Sequence, residues 1–398
     1  MSSFKMDLSN DVLFIIDRLN SCGYSAYVVG GSVRDSLIGR ELGDFDITTS
    51  ARPEETKAAF SDFKTVDTGI KHGTVTLVLG GTPYEITTYR VDGDYKDSRH
   101  PDSVTFTNRL EDDLSRRDFT VNAMAYDGKG GLVDPFGGAI DAQRKIIRAV
   151  GDPYLRFGED ALRILRALRF ASVLGFDIEK TTADALIELS PSLKSISKER
   201  IYAEFKKLIM GVDAVKILTE YRSVFELILS GLRIEKMPDA QRFDSSDIYT
   251  RLSSLFLLNS SDPSDTAERV LRDLKTDKFT RTHTISVLSA YLDASFCSIR
   301  DTLVTLAKYG KETVDGVLSL GILVDRFGAC EEEILKASLE CGTPFTVSGL
   351  AVRGGDLIAA GITGERVGET LNSLLYAVID GNTDNTKAAL ISYLAEAR

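Results

Sequence analysis

The chain of 398 residues has room for two to four domains of ordinary size. Hydrophobic residues at 43% and charged residues at 27% match globular usage and exclude a disordered or fibrous chain. The net charge of −11 excludes a protein that binds nucleic acid with its whole surface, yet the charge is uneven: residues 1–140 carry 15 basic and 22 acidic side chains, 141–210 carry 13 and 10, and 211–398 carry 20 and 27.

From the N-terminus, Leu8, Val12, Ile15, Ile16 and Leu19 recur at helical spacing and predict a helix over residues 7–22. AYVVGG, from Ala26, is an apolar run stopped by two glycines and predicts a strand; Ser32 is placed to cap a helix running through Leu37 to Gly39. DFDITT, residues 44–49, alternates as a strand does. TVTLVLGGTPYEITTYRV, residues 74–91, predicts a hairpin turning at Gly80, Gly81, Thr82 and Pro83. Three or four strands with helices make a head of about 140 residues. Residues 90–109 are polar, with alternating charges, and predict a mobile loop. Helices are then expected over 154–174, 181–189, 197–210, 213–229, 246–258, 265–274, 279–292, 299–309, 314–324, 331–339, 364–379 and 387–396, with no repeating period. The expected fold class is multidomain α+β: a small α/β head and an elongated all-helical remainder.

No apolar run approaches the ~18 residues of a membrane span and the N-terminus lacks the pattern of a secretory signal, so a cytoplasmic protein without membrane contact is expected. Cys22, Cys297, Cys330 and Cys341 are scattered and should be reduced and mostly buried. With His72, His100 and His283 as the only histidines, a metal must be held by carboxylates.

Asp44 and Asp46 of DFD, two apart on a strand, point to one face while Phe45 points into the core, and such a pair suits Mg²⁺ together with substrate phosphates. Acidic pairs are also common on exposed strands. Upstream, Gly30 and Gly31 end a strand and open a helix, where backbone N–H groups can approach an anion. Glu85, in YEITTYR, is a candidate third carboxylate, completing the parts for two-metal phosphoryl transfer. In SRRDFTVNA the paired arginines suit phosphates, and Asp118 or Asn122 a ribose hydroxyl. Arg163, Arg166 and Arg169, at intervals of three, form one stripe in the only segment of positive charge: an anion site, or a solvated helix face.

The blocks GGSVRD, GDFDITT, GIKHGTVT, YEITTYR, RRDFTVNA, GDPYLRF and EDALRILRALRF, in this order across residues 24–210, resemble the class II tRNA nucleotidyltransferases, the CCA-adding enzymes, with the bacterial poly(A) polymerases as close relatives. The resemblance implies a nucleotidyltransferase head of the DNA polymerase beta type followed by neck, body and tail. The corresponding division is a head over 1–140, a neck with base-selecting residues over 141–210, a body over 211–300 and a tRNA-binding tail over 301–398. It implies Asp44 and Asp46 as ligands of Mg²⁺, Glu85 as third catalytic carboxylate, and Gly30, Gly31, Ser32 and Arg34 as the triphosphate cradle. Arg117, Asp118 and Asn122 would recognise ribose. Glu159, Asp160 and Arg163 would choose the base, and Arg166 and Arg169 would reach the triphosphate.

With Asp160 and Arg163 three apart on one helix, an acceptor and a donor project side by side. Cytosine and adenine share an exocyclic amine beside an unprotonated ring nitrogen and match this pair, whereas uracil and guanine leave it unpaired. The implied partners are tRNA, CTP and ATP, and nothing in the sequence points to a protein partner. Within the resemblance the 90–109 loop is full length, as in enzymes that go on from CTP to ATP. The tRNA contacts expected nearest the head are Lys206 and Lys207. Addition of A alone, poly(A) addition, and an inactive RNA-binding protein remain the alternatives.

Overall fold

In the computed structural model, which describes residues 4–93, 104–129 and 131–396, helix α1 (Asn10–Ser21) begins where the Ser9 hydroxyl accepts the Val12 N–H at 3.3 Å. Its stripe of Val12, Ile15, Ile16 and Leu19 is buried against one face of a sheet. The chain continues through β1 (Ala26–Val29), α2 (Gly31–Leu37), β2 (Asp46–Thr49), α3 (Pro53–Ala59), β3 (Lys64–Gly69), β4 (Thr74–Leu79) and β5 (Thr82–Thr88). It then passes β6 (Arg90–Asp92), β7 (Val104–Phe106), α4 (Leu110–Ser115), β8 (Ala125–Tyr126) and β9 (Leu132–Val133).

Seven of these strands form one mixed sheet in the order β3-β4-β5-β2-β1-β8-β9, with β2 parallel to β5 and the other neighbours antiparallel. The sequence suggested three or four. The polar edge strand β3, KTVDTG, carries no apolar alternation to betray it, and β8 and β9 are two residues each. Val28, Ile47, Leu77, Leu79 and Ile86 fill the core beneath α1, so by strict alternation Asp46, Thr48, Glu85 and Thr87 take the opposite face. The β4–β5 hairpin turns on Gly80 and Gly81, both at positive φ, as expected of a two-residue loop that follows the strand twist. β6 and β7 pair with each other; half of the predicted 90–109 loop, residues 94–103, lies outside the described residues.

The helical continuation comprises α5 (Gly138–Arg144), α6 (Pro153–Glu159), α7 (Leu162–Leu174), α8 (Lys180–Leu189), α9 (Lys198–Ile209), α10 (Ala214–Glu220) and α11 (Arg222–Ile228), with short strands β10 (Ile146–Ile147) and β11 (Asp177–Ile178) pairing in parallel. Two expected helices prove to be pairs. The 154–174 helix breaks at Asp160, whose backbone is extended (φ −140°, ψ 105°) and whose carboxylate accepts the Leu162 N–H at 2.9 Å; the 213–229 helix breaks at Tyr221.

All of this lies in one compact unit, Met1–Gly231. The second unit, Leu232–Arg398, has helices and no strand among its described residues: α12 (Ala240–Ser245), α13 (Ile248–Asn259), α14 (Pro263–Asp273), α15 (Lys278–Tyr291), α16 (Ile299–Tyr309), α17 (Lys311–Leu323), α18 (Ala329–Glu340), α19 (Gly354–Ala359), α20 (Arg366–Ile379) and α21 (Lys387–Glu396). The helices α12 to α16 each start on a side-chain cap, from Asp239, Asp247, Asp262, Asp277 and Ser298. Arg251 is 2% exposed and spends its guanidinium on the carbonyls of Ser246 and Asp244, closing the end of α12. The four cysteines are unpaired and, contrary to expectation, all exposed: each sits at or beside a helix end or in a connection rather than on a buried stripe. No described helix is long and apolar enough to cross a membrane.

Candidate active site

The parallel register of β2 and β5 sets Asp46 beside Glu85, with Thr76 of β4 on Glu85's other side, so the catalytic candidates share one polar row across the sheet. Asp44 precedes the strand, which starts at Asp46 rather than at residue 44, while Phe45 packs on the core as expected. Burial raises the Asp46 carboxyl above its usual value, Arg117 opposes that shift, and the neighbouring charge of Asp44 adds to it.

Asp46 is the junction of three hollows. The largest, about 550 Å³, lies under α7 and α9; a second, about 200 Å³, is lined by Glu85, Thr87, Arg90, Arg116 and Arg117; a third, about 510 Å³, holds Asp44, Glu85, Thr76 and Tyr84. Among the described residues no three acidic, histidine or cysteine side chains are gathered as a ready-made cation site. Two or three carboxylates opening onto one space still suit Mg²⁺, which habitually completes its shell with substrate oxygens and water. Such a cation would add to Arg117 in offsetting the charge of Asp44 on Asp46.

The 550 Å³ cleft is lined by seven guanidiniums, Arg34, Arg116, Arg117, Arg163, Arg166, Arg169 and Arg200, against three carboxylates, Asp46, Asp118 and Asp160. An excess of four positive charges facing one cleft makes an anion site inside an acidic protein. The arginines are held rather than loose. Arg34 donates to Asn122 Oδ1 at 2.6 Å and pairs with Asp35. Asp118 accepts from the Phe119 N–H, from Asn122 Nδ2 at 3.1 Å and twice from Arg166, at 2.8 and 2.6 Å, which fills its acceptor sites. Burial works against the charge of Asp118, but Arg166 and the Asn122 amide overcome it and bring the carboxyl down to about 2. Arg116 and Arg117 both pair with Asp113, a fully buried carboxylate of α4. Phe170 lies beneath Arg34, Arg166 and Arg169, with the Arg169 guanidinium 3.9 Å from its ring centre.

Gly30 caps α2 at φ 77° and ψ −131°, a conformation that favours glycine, and a Cβ there would stand 3.2 Å from Arg117 Nη1. Ser32, expected as the cap, is buried inside the helix and does not line the cleft; its hydroxyl has no partner among the described residues.

Asp160 and Arg163 both face the cleft but not as one helical pair, because the break puts Asp160 in the link between α6 and α7. Each is held separately. Asp160 Oδ2 accepts from Arg200 at 3.2 Å, and Arg163 donates to Glu159, to the Arg156 carbonyl at 3.0 Å and to the Arg116 carbonyl at 3.3 Å.

No local pattern marks Asp113, Phe170, Arg200 or Glu204 as site residues. Asp113 is the third of three consecutive acids, with nothing local to set it apart. Arg200 and Glu204 lie 40 residues beyond the base-selecting block, and only the packing of α9 on α7 brings them to it.

Three family models match the chain: one described as the Poly A polymerase head domain over residues 26–148, one as the "Probable RNA and SrmB-binding site of polymerase A" over 175–223, and one for domain 2 of tRNA nucleotidyltransferases over 245–394. The CCA-adding enzyme of Lactobacillus helveticus is 37% identical, covering 98% of this chain and 99% of its own. That of Leuconostoc mesenteroides is 38% identical over 96% of this chain and 95% of its own. The crystal structure of the Bacillus stearothermophilus CCA-adding enzyme in complex with CTP superposes with a TM-score of 0.81 at 35% identity, covering 97% of this chain and 96% of that one.

Proposed function

Since this chain belongs to the CCA-adding enzymes, with their poly(A) polymerase type of head, we propose an assignment of its side chains to the steps by which C, C and A are added to tRNA 3′ ends from CTP and ATP with release of pyrophosphate. The observation that carries the assignment is the position of Asp46, beside Glu85 and at the edge of the seven-arginine cleft.

Arg34, Arg166 and Arg169, with the N–H of Gly31 and the close backbone approach that Gly30 allows, take the triphosphate in the cleft, so that its α-phosphorus comes to the Asp46 edge; the Gly30 N–H itself donates to the Met124 carbonyl at 3.3 Å. Arg117, Asp118 and Asn122 flank the ribose, Asp118 acting through the groups it holds because its own acceptor sites are filled. Asp160 accepts from the exocyclic amine of cytosine or adenine, and Arg163 donates to the adjoining ring nitrogen; uracil and guanine would leave both unpaired in a largely desolvated site. Glu85 faces the incoming 3′-hydroxyl and accepts its proton. The hydroxyl oxygen bonds to the α-phosphorus as the bond to pyrophosphate breaks.

Asp44 and Asp46 would hold Mg²⁺. When bound, that ion would neutralise the charge developing on the α-phosphate and the leaving pyrophosphate. The functional division runs from head (1–140) through neck (141–210) and body (211–300) to tail (301–398), with the exposed Lys206 and Lys207 of α9 as tRNA phosphate contacts. The place of action is the cytoplasm, with the tRNA pool.

The test is extension of three tRNA transcripts, ending at the discriminator base, at C and at CC, with Mg²⁺ and each nucleotide separately and together. Growth of the first by three residues with CTP and ATP, and then arrest, is expected. Growth only of the transcript ending in CC would restrict the enzyme to A addition, and open-ended A addition would make it a poly(A) polymerase.

A further inference from the structure

Phe170 of α7 is 8% exposed, lines the arginine cleft and packs edge-to-face on the fully buried Phe119, with ring centres 5.8 Å apart. Three guanidiniums lie over its ring, those of Arg34, Arg166 and Arg169 at 5.2, 5.5 and 3.9 Å from the ring centre. They come from two elements, α2 and α7, and are fixed by different means. Arg34 donates to Asn122 and pairs with Asp35, and Arg166 donates twice to Asp118. Arg169 is held otherwise: its Nε stands 2.8 Å from Glu204 as an ion pair, yet has no hydrogen-bond partner among the described residues. Burial, and then the charges of Arg166 and Arg34, push the Arg169 pKa down against Glu204 and Asp118. The ring face carries negative potential and attracts all three cations without consuming an N–H.

We propose that Phe170 is the positioning residue of the triphosphate site, its ring gathering Arg34, Arg166 and Arg169 before a nucleotide arrives. Three cations brought to one place repel each other, and until phosphate oxygens enter something must hold them there. Carboxylates alone would do so by occupying the N–H groups that the phosphates need, as Asp118 already occupies two of Arg166. An aromatic face acts on the flat side of a guanidinium and leaves its in-plane donors for other oxygens. Arg169, seated closest to the ring, therefore keeps its donors for phosphate. Phe119 fixes the tilt of that ring, so the residue following Asp118 in the ribose block also shapes the floor of the phosphate site. Because the ring acts through phosphate-binding cations, its influence is the same whether the base is cytosine or adenine. This inference rests on the proposed triphosphate-binding role of the three arginines.

The experiment replaces Phe170 by mono-, di- and trifluorophenylalanine, which keep the ring's shape while draining negative potential from its face. It measures KM and kcat for CMP and AMP addition to tRNA transcripts, and the inhibition constant of pyrophosphate, in this series and in Phe170→Leu and Arg169→Gln. KM for CTP and for ATP and the pyrophosphate constant should rise together with each fluorine, reaching about 3- to 10-fold in the trifluoro enzyme, while kcat and the ratio of the two KM values move by less than about twofold. Phe170→Leu, which removes the ring, should match or exceed the trifluoro enzyme; if it fails to fold, the fluorinated series decides alone. Flat constants along that series would overturn the proposal and leave Phe170 as packing volume, as would a rise in KM that pyrophosphate does not share or a loss confined to kcat. Arg169→Gln should raise KM and the pyrophosphate constant about 10-fold. If neither moved, the triphosphate role of Arg169 would be wrong and the proposal with it; that failure is told apart because it appears without any change at Phe170.

Discussion

The carboxylate edge on β2 and β5 and the arginine wall under α7 and α9 meet at Asp46, and they are built on opposite principles. At the edge, charge is only partly offset: Arg117 favours the ionised form of Asp46 while desolvation and Asp44 work against it, and Asp46 and Glu85 are both exposed. On the wall nearly every guanidinium has a protein partner, Asp35 for Arg34, Asp113 for Arg116 and Arg117, Asp118 for Arg166, Glu159 for Arg163 and Glu204 for Arg169. Charge that the fold compensates only in part and leaves open to solvent marks where a ligand's charge is to come. Compensated charge is preorganised, and holds its geometry before the ligand arrives.

The sharpest way to break this contrast is to remove one acid from each side. Asp46→Ala should lower kcat for both CMP and AMP addition by on the order of 10³-fold or more, yet leave the urea midpoint unchanged or raised, because the side chain removed is exposed and its charged form is disfavoured in the fold. Asp113→Ala should do the reverse: two arginines lose their buried partner and stability of the first unit falls by about 3–5 kcal/mol, read as an earlier unfolding transition by circular dichroism. If Asp113→Ala left the transition in place, the wall would not be prewired as described.

Asp118 adds a pH signature. Its folded carboxyl lies at about 2 against an ordinary 3.8, so the stability it contributes, about 2 kcal/mol, is present above pH 4 and is lost as the pH falls from there towards 2. Acid titration of stability in wild type and Asp118→Asn should show that slope only in the wild type. The smallest expected effect is at Gly30, where alanine must hold a positive φ beside Arg117 and Asp46; a loss on the order of 1 kcal/mol and a raised KM for both nucleotides are expected. A Gly30→Ala enzyme with unaltered KM would remove Gly30 from the triphosphate cradle.

Much of the head was legible because its signals are local. Alternation in DFDITT and YEITT puts Asp46 and Glu85 on one face whatever lies across the sheet, and Gly80-Gly81 supplies the two positive-φ positions of a tight hairpin turn. The stripe of Arg163, Arg166 and Arg169 follows from helical spacing alone, and the structure lines the cleft with all three. The misread features are those where a side chain competes with the backbone or an element has no pattern of its own. Asp160 was placed inside a helix because nothing in EDALR marks the aspartate as the residue that ends one helix and caps the next. Ser32 has the chemistry of a cap, yet Gly30 holds that position, since only its backbone fits the turn.

What the sequence by itself determined, then, is the identity of the chemistry: which carboxylates, which arginines, and the family blocks that order them. What only the tertiary structure decided is the pairing. The register of β2 against β5 joins residues 39 apart, and the docking of α9 on α7 brings Arg200 and Glu204 to partners 35 to 40 residues away. Periodicity says which way a side chain points along its own element. Which opposite charge it meets there depends on how separate elements pack, and no local pattern encodes that distance.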